Sequence, residues 1–356
     1  MAQRWNAVSD AQARNTRIAQ ALCDWFVANC RELPFRKTRD AYCIWISEIM
    51  AQQTRISALI PYYERFIQRF PTVQALAAAQ EDEVLLAWQG LGYYSRARNL
   101  HRAAQRIVQE FGAELPRTRK ALESLPGIGA YTAGAVLSIA YDLEEPAIDG
   151  NALRVFARME ADDSDIAKLQ TQRAMAQHVR EVMHGHPPSI FTQAVMELGA
   201  LICLPTSPKC LICPVRDLCR AREQGREEQL PVKTAAHAPR VIPRWILLLQ
   251  NDAGAFLLRR RTERLLHNLW EFPGFDDKQA LLDQLRVWGV EEQTLHKGIQ
   301  AQHVFTHIVW KMQGVHAHTE GFQAPAGMQW ATAPQMQKLA MPTALKAYID
   351  WVRQHR

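Results

Sequence analysis

Residues 118–134 read TRKALESLPGIGAYTAG, a helical segment, a tight LPGIG turn and a second helical segment. Glycine permits positive φ and close backbone approach, and the first N–H groups of a helix point outward, where an anion is well received. A helical hairpin corner accounts for the same glycines. Gly127 and Gly129 therefore read either as a packing corner or as a phosphate-binding backbone.

On either side the pattern stays helical. ARNTRIAQALCDWFVANC, DAYCIWISEIMAQQT, ALIPYYERFIQRF, EDEVLLAWQG, ARNLHRAAQRIVQEF and YTAGAVLSIAYD all carry apolar positions at a 3.6-residue period. Pro34, Pro71, Gly90, Gly112 and Pro116 fall between them, where helices start and stop. The reading is an all-α domain over 1–225, a linker over 226–241 where periodicity is lost, and an α+β domain over 242–356. In the last, RWILLLQ and AFLLRRR flank an Asn-Asp-Ala-Gly turn like a hairpin, KQALLDQLRVWG follows as a helix, HVFTHIVWKMQGVHAH reads as strand, and TALKAYIDWVRQ closes as a helix.

A chain of 356 residues suits two domains, and 48% apolar with 22% charged residues is a globular composition. No apolar run reaches the length of a membrane span and the N-terminus lacks a signal-peptide pattern, so the expected compartment is cytoplasmic, without a membrane partner. The net charge of +6 is mild, with 26 Lys and Arg against 24 Asp and Glu before residue 226 and 16 against 12 after it. A nucleic-acid partner has to be argued from local arrangement. One candidate is Gly90–Arg98, GLGYYSRAR, with basic residues beside two tyrosines; a loop leading into a solvated helix fits it too.

Three further features carry chemistry. Glu48 interrupts the apolar run CIWISEIMAQQT, at the border of a buried stripe, where a carboxylate needs a partner or a raised pKa. Asp149 and Asn151, in PAIDGNALRV, are each suited to cap the following helix. Cys203-x6-Cys210-x2-Cys213-x5-Cys219 gathers four of the seven cysteines in one block, which in a reducing compartment argues for one zinc ion or an iron-sulfur cluster over disulfides. Cys23, Cys30 and Cys43 lie on apolar helix faces and read as ordinary buried residues.

The cysteine spacing at the end of an all-helical domain, and LPGIG followed about twenty residues later by an Asp, resemble the helix-hairpin-helix DNA glycosylases of the endonuclease III superfamily. That resemblance implies a 4Fe-4S cluster on Cys203, Cys210, Cys213 and Cys219, with Lys209, Arg216 and Arg220 as basic flanks. It also implies a six-helix barrel module over about 34–140, a cluster module from 1–33 and 141–225, and DNA phosphate bound at Gly127 and Gly129. Members that also cut the strand carry a Lys two residues after the last turn glycine. Here that residue is Tyr131, so no imine forms and a monofunctional enzyme is implied.

LPFR (33–36), WISEIMAQQT (45–54), GLGYYSRARNLH (90–101), LPGIGAYTAGAVLS (125–138), AIDGNALRV (147–155) and ELGALIC (197–203) are similar to the adenine DNA glycosylase branch of that superfamily. By that resemblance Glu48 protonates adenine N7 and Asp149 faces the sugar, supported by Tyr131 and Asn151. Arg36 and Gln193 line the pocket of the flipped adenine. Gln53 and Tyr93 wedge into the duplex, with Thr54 and Leu91 near 8-oxoguanine. The implied partner is double-stranded DNA carrying A opposite 8-oxoguanine or G, bound by a monomer. Ala51 and Phe35 depart from the commoner Leu and Trp, and both remain apolar.

Leu269–Phe275, LWEFPGF, resembles the opening of a Nudix fold. A working Nudix hydrolase needs a glutamate cluster after Gly274, but Ala280 stands first and LLDQLRVWGV supplies no carboxylate pair, so recognition is expected in place of catalysis. Phe305-Thr306-His307 stands where the resemblance implies an 8-oxoguanine-reading loop through Thr306 and His307; a strand of alternating burial is the plainer reading. The alternatives are an endonuclease III-like glycosylase/lyase, disfavoured by Tyr131; a cluster-bearing damage-binding protein without activity, disfavoured by the Glu48 and Asp149 pair; and a nucleotide pyrophosphatase.

Overall fold

The computed structural model describes residues 2–234 and 238–354. They group into two compact units, one of the chain up to Ala78 and from Arg102 to the linker, the other of Ala79–His101 and everything beyond it. Among the described residues no helix is long and apolar enough to cross a membrane.

The first unit is helical. Ile18, Leu22 and Phe26 of the Ala2–Asn29 helix pack with Phe156, Val179, Phe191 and Leu198 from three later helices, Gly150–Glu160, Leu169–Met183 and Pro188–Leu201. Each such side chain taken from water contributes about 1.5–3 kcal/mol. The Ala41–Ala51 helix starts where Asp40 accepts the Cys43 N–H at 2.8 Å, and it is buried continuously from Ile44 to Met50. It packs against Ala130–Tyr141, Ile56–Arg69 and the short Pro34–Arg36 turn; with neighbours on several faces its apolar residues do not keep to one stripe.

The hairpin is present. Thr118 caps Arg119–Glu123, Gly127 turns the chain at φ +79°, Ile128 is 4% exposed and anchors the corner, and Ala130–Tyr141 departs from Gly129. Gly127 and Gly129 are themselves exposed. Further along, a Cβ on Gly134 would stand 2.2 Å from the Pro146 carbonyl oxygen, so this helix and the segment leading to Asp149 touch backbone to backbone.

The second unit is built on a seven-stranded sheet: β1 (Arg240–Asn251), β2 (Phe256–Arg260), β3 (Trp270–Glu271), β4 (Gly274–Phe275), β5 (His296–Val304), β6 (Ile308–Thr319) and β7 (Met328–Ala331). The order is β3-β2-β1-β6-β5, with β4 also on β1 and β7 on β2. The expected hairpin is β1–β2, antiparallel, while β1 and β6 run parallel from Arg240↔Ile308 to Asn251↔Thr319. Leu247 and Leu249 face Leu281 and Leu285 of the Lys278–Trp288 helix; Ile246 and Leu248 face Tyr348 and Val352 of Lys346–Gln354. With both faces covered, RWILLLQ carries no polar alternation.

Three readings are corrected. Residues 303–318 are not one strand: β5 ends at Val304 and Phe305-Thr306-His307 turns the chain into β6. The helical segment Ala79–His101 continues the helical pattern read above and also makes contacts with the sheet, with which it is grouped. Tyr94 Oη donates to the Met341 carbonyl at 3.1 Å, Arg98 to that of His267 at 2.7 Å, Asn268 to Glu81 at 2.7 Å, and Arg260 pairs with Asp82. Cys30 is exposed just past the end of its helix. Of the expected 226–241 linker, 235–237 lie outside the described residues; the part before them is held, with Leu230 buried and the Ile166 N–H donating to Val232 at 3.0 Å, and β1 already begins at Arg240.

Candidate functional site

The Ala41–Ala51 helix, the Ala130–Tyr141 helix, the turn before Gly150–Glu160, the Pro34–Arg36 turn and the Pro188–Leu201 helix enclose a cavity of about 600 Å³ in the first unit. Its walls carry Glu48, Gln53, Thr54, Tyr131, Asp149, Asn151, Arg36 and Gln193. Eight residues singled out in the sequence, from five separate segments, thus share one pocket.

Glu48 is 9% exposed. Burial pushes its carboxyl up to about 7 and the nearby Asp149 charge pushes the same way, while the Tyr131 hydrogen bond and the Arg36 charge work against them. Tyr131 Oη donates to Glu48 Oε2 at 2.6 Å. Burial raises the Tyr131 phenol well above its ordinary value, so the proton in that bond belongs to the tyrosine.

Asp149 caps its helix, Oδ1 accepting the Ala152 N–H at 2.7 Å, and Oδ2 accepts from Asn151 Nδ2 at 2.9 Å. The capping reading and the site reading are therefore both true of this residue. Burial raises its carboxyl, and these hydrogen bonds pull it back toward the ionised form. Arg154 extends the chain: Nη2 donates to Asn151 Oδ1 at 2.9 Å and to the Gly199 carbonyl at 2.8 Å, and Nε to the Cys203 carbonyl at 2.8 Å. A Cβ on Gly199 would lie 2.6 Å from Asn151 Cβ, so the two helices approach there with no room for a side chain at 199.

The opposite wall carries Arg36 and Gln193, the latter tied to the Ser189 carbonyl at 3.0 Å. Arg36 donates to Glu197 Oε2 at 2.9 Å and stacks over the Phe26 ring at 5.1 Å. Glu197 and its other partner, Arg31, also line the cavity and were not singled out in the sequence. The signal was there: Glu197 is a lone carboxylate in the apolar run AVMELGALIC, the same anomaly that drew notice to Glu48.

Gln53 is exposed and left-handed, at φ +57° just past the end of its helix, with Thr54 half-buried beside it. Leu91, Tyr93, Thr306 and His307 belong to the second unit. There Tyr93, left-handed at φ +48° and 46% exposed, shares a 3.1 Å hydrogen bond with Thr306 Oγ1. Trp88 Nε1 donates to the Gly92 carbonyl at 3.1 Å, and the Arg96 guanidinium lies 5.3 Å from the Trp88 ring and 5.5 Å from that of Tyr93. Phe305 packs on the Trp310 ring at 5.0 Å, Thr306 and His307 are exposed, and Leu91 is 8% exposed.

Cys203, Cys210, Cys213 and Cys219 line a second cavity of the first unit. Arg158, 2% exposed, holds the loop by donating to the Leu204, Pro205 and Leu230 carbonyls and to Cys203 Sγ, the last at 3.3 Å. The four thiols are half-buried around this cavity, a donor set that would suit either an iron-sulfur cluster or a zinc ion. On the helix after Gly274, Asp283 of Lys278–Trp288 is exposed and paired with Arg286.

Residues 46–181 match the family described as HhH-GPD superfamily base excision DNA repair protein, and residues 244–351 match the NUDIX domain. The chain is 34% identical to an adenine DNA glycosylase of Rattus norvegicus, over 96% of this chain and 79% of the relative. It is 32% identical to that of Homo sapiens, over 94% and 73%, and 33% identical to that of Buchnera aphidicola (subsp. Schizaphis graminum), over 82% and 84%. Among solved structures, a thermostable thymine-DNA glycosylase superposes with a TM-score of 0.55 at 25% identity, covering 60% of this chain and 98% of its own. A non-covalent endonuclease III–DNA complex shares the fold, with a TM-score of 0.50 at 23% identity over 58% and 94%.

Proposed function

Since the chain belongs to the adenine DNA glycosylase (MutY) family, we propose that this base excision repair glycosylase releases adenine paired with 8-oxoguanine, and adenine opposite G, by hydrolysing the N-glycosidic bond. The observation that carries the chemistry is Glu48, a buried carboxyl held near 7 beside Tyr131 and facing a cavity of about 600 Å³. A cavity of this size admits a nucleobase flipped out of the duplex, at a cost of a few kcal/mol in unstacking.

Adenine is a poor leaving group until protonated. Glu48 gives its proton to N7, and the C1′–N9 bond breaks with its electron pair leaving on the base. Asp149 opposes the positive charge that develops on the sugar, and Asn151 fixes the carboxylate that does so. Water supplies hydroxide to C1′ and its remaining proton to Glu48. Among the described residues the cavity wall carries no lysine, which supports a monofunctional reaction. Arg36 and Gln193 line the base pocket, and Gln53 and Tyr93 take the place of the flipped nucleotide.

The hairpin N–H groups at Gly127 and Gly129 receive DNA phosphate. The four cysteines would hold a 4Fe-4S cluster, whose place is to order the loop carrying Lys209, Arg216 and Arg220. The turn at Phe305-Thr306-His307, joined to Tyr93 through Thr306, reads 8-oxoguanine from the second unit, with Leu91 of the same unit.

The test is adenine release from duplexes carrying A opposite 8-oxoguanine, G or T, followed by alkaline cleavage at abasic sites. Faster release opposite 8-oxoguanine and G than opposite T is expected; equal rates refute the assignment. Glu48→Gln should bind the lesion duplex and lose about 10²–10⁴-fold in single-turnover rate.

A further inference from the structure

Glu197 has no part in the chemistry above, yet it is a second carboxylate buried in an apolar helix beside the same cavity. Its side chain is 1% exposed. Oε1 accepts from the Arg31 N–H at 3.0 Å and from Arg31 Nε at 2.8 Å; Oε2 accepts from Arg31 Nη2 at 2.6 Å and Arg36 Nη2 at 2.9 Å. Burial opposes its ionisation, but the two guanidiniums prevail and hold the carboxyl down to about 2. Glu197 is an anion throughout the working pH range.

The charged and titratable groups facing Glu48 are few. They are Tyr131 from the Ala130–Tyr141 helix, Asp149 from the turn before Gly150–Glu160, and Arg36 from the Pro34–Arg36 turn, with Glu197 and Arg31 behind Arg36. Ile56–Arg69, the remaining helix packed there, gives the wall only Ile56. Arg36 therefore supplies the positive charge that acts on Glu48, and it favours the ionised form. A bare cation beside a carboxyl lowers its pKa by roughly 1–3 units, enough to strip a general acid of its proton at neutral pH.

We infer that Glu197 is a positioning residue acting through Arg36: it pins the guanidinium at the pocket wall and offsets its charge, so that Glu48 keeps the proton it donates. This rests on the reading of Glu48 as the acid. Arg36 has further anchors, Nη1 donating to the Arg31 carbonyl at 3.1 Å and the guanidinium lying over Phe26. Neutralising Glu197 thus alters charge more than position.

The experiment measures single-turnover adenine release by the full chain, from about pH 5 to about pH 9, on a duplex with A opposite 8-oxoguanine. Glu197→Gln is expected to move the basic midpoint down by about one pH unit while leaving the low-pH plateau within a few-fold of the parent. The double substitution Arg36→Gln with Glu197→Gln restores the original net charge of the triad, one unit positive, and should return the midpoint toward the parent value whatever its plateau. An unmoved midpoint in Glu197→Gln, or a midpoint the double substitution fails to restore, overturns the inference. Should Glu197→Gln not fold, Arg31→Gln carries the test: one cation fewer raises the midpoint, and an unchanged or lowered one overturns the idea. Glu48→Gln keeps the two readings apart. Full activity in that variant removes the general acid itself, whereas an inactive Glu48→Gln with an unmoved Glu197→Gln midpoint removes only the role of Glu197.

Discussion

Tyr131 donates a 2.6 Å hydrogen bond to Glu48 Oε2, and so restrains the pKa of the carboxyl that burial drives up. A hydrogen bond donated to a carboxylate favours its charged form. Tyr131 thus works against the proton that Glu48 holds and, by occupying Oε2, leaves Oε1 as the oxygen to carry it.

Tyr131→Phe removes that restraint. The Glu48 pKa should rise above about 7, and because the protonated form is the active one, the basic limb of the pH–rate profile should move to higher pH. The plateau should fall, since the carboxyl loses its orientation. A single-turnover profile checks this; a limb moving to lower pH would contradict the donor role of the phenol.

Thr306→Val keeps the shape of the Phe305-Thr306-His307 turn and deletes the hydroxyl that meets Tyr93 at 3.1 Å. Loss of one such hydrogen bond costs about 1 kcal/mol. The expected result is a several-fold smaller ratio of adenine release opposite 8-oxoguanine to that opposite G, with thermal stability nearly unchanged. Single-turnover rates on the two duplexes measure it.

Glu160 gathers Arg14 at 2.8 Å, Arg220 at 2.8 Å and His178 at 3.2 Å around a side chain 15% exposed. Burial would raise its carboxyl, but these partners outweigh burial and hold it at about 2. A depressed carboxyl stabilises the fold above its unfolded value and loses that contribution as pH falls. Glu160→Ala should destabilise the first unit by about 3 kcal/mol at pH 7. The deficit relative to the parent should shrink between pH 4.5 and about 2, as followed by urea titration at a series of pH values.

Cys213→Ser should abolish the visible absorption of the purified protein and weaken duplex binding, with most of the loss in the salt-dependent part carried by Lys209, Arg216 and Arg220. Absorption spectra and binding isotherms at two salt concentrations test it. An unchanged visible spectrum would remove Cys213 from the ligand set.

Much of this was legible in the chain itself. The hairpin was readable because Gly127 and Ile128 do local work, one turning the chain and one anchoring the corner. Glu48 stood out because a carboxylate in an apolar helix is rare whatever surrounds it. The union of Glu48, Tyr131, Asp149 and Arg36 in one cavity is a tertiary fact that no local pattern announces. The loop at Phe305-Thr306-His307 was indicated by the resemblance alone, because its flanking residues are strand formers on both sides and it contains no Gly, Pro or Asn to mark a turn. Glu197 was overlooked although it carries the same sign as Glu48, because its partners Arg31 and Arg36 lie more than 160 positions away in sequence.

The two glycines at the closest approaches, Gly134 against Pro146 and Gly199 against Asn151, give the cavity one hard jaw and one soft one. On the hard side, the spacing of Tyr131 and Asp149 is set by main chain pressed on main chain, which no rotamer change can relax. Gly134→Ala would have to force the Ala130–Tyr141 helix off its seat before the new methyl could fit. On the soft side, Arg36, Gln193 and Phe35 bring long or flexible side chains to the wall. Any redesign of which base the pocket admits has its latitude there, and the Glu48–Asp149 side stays a fixed anvil.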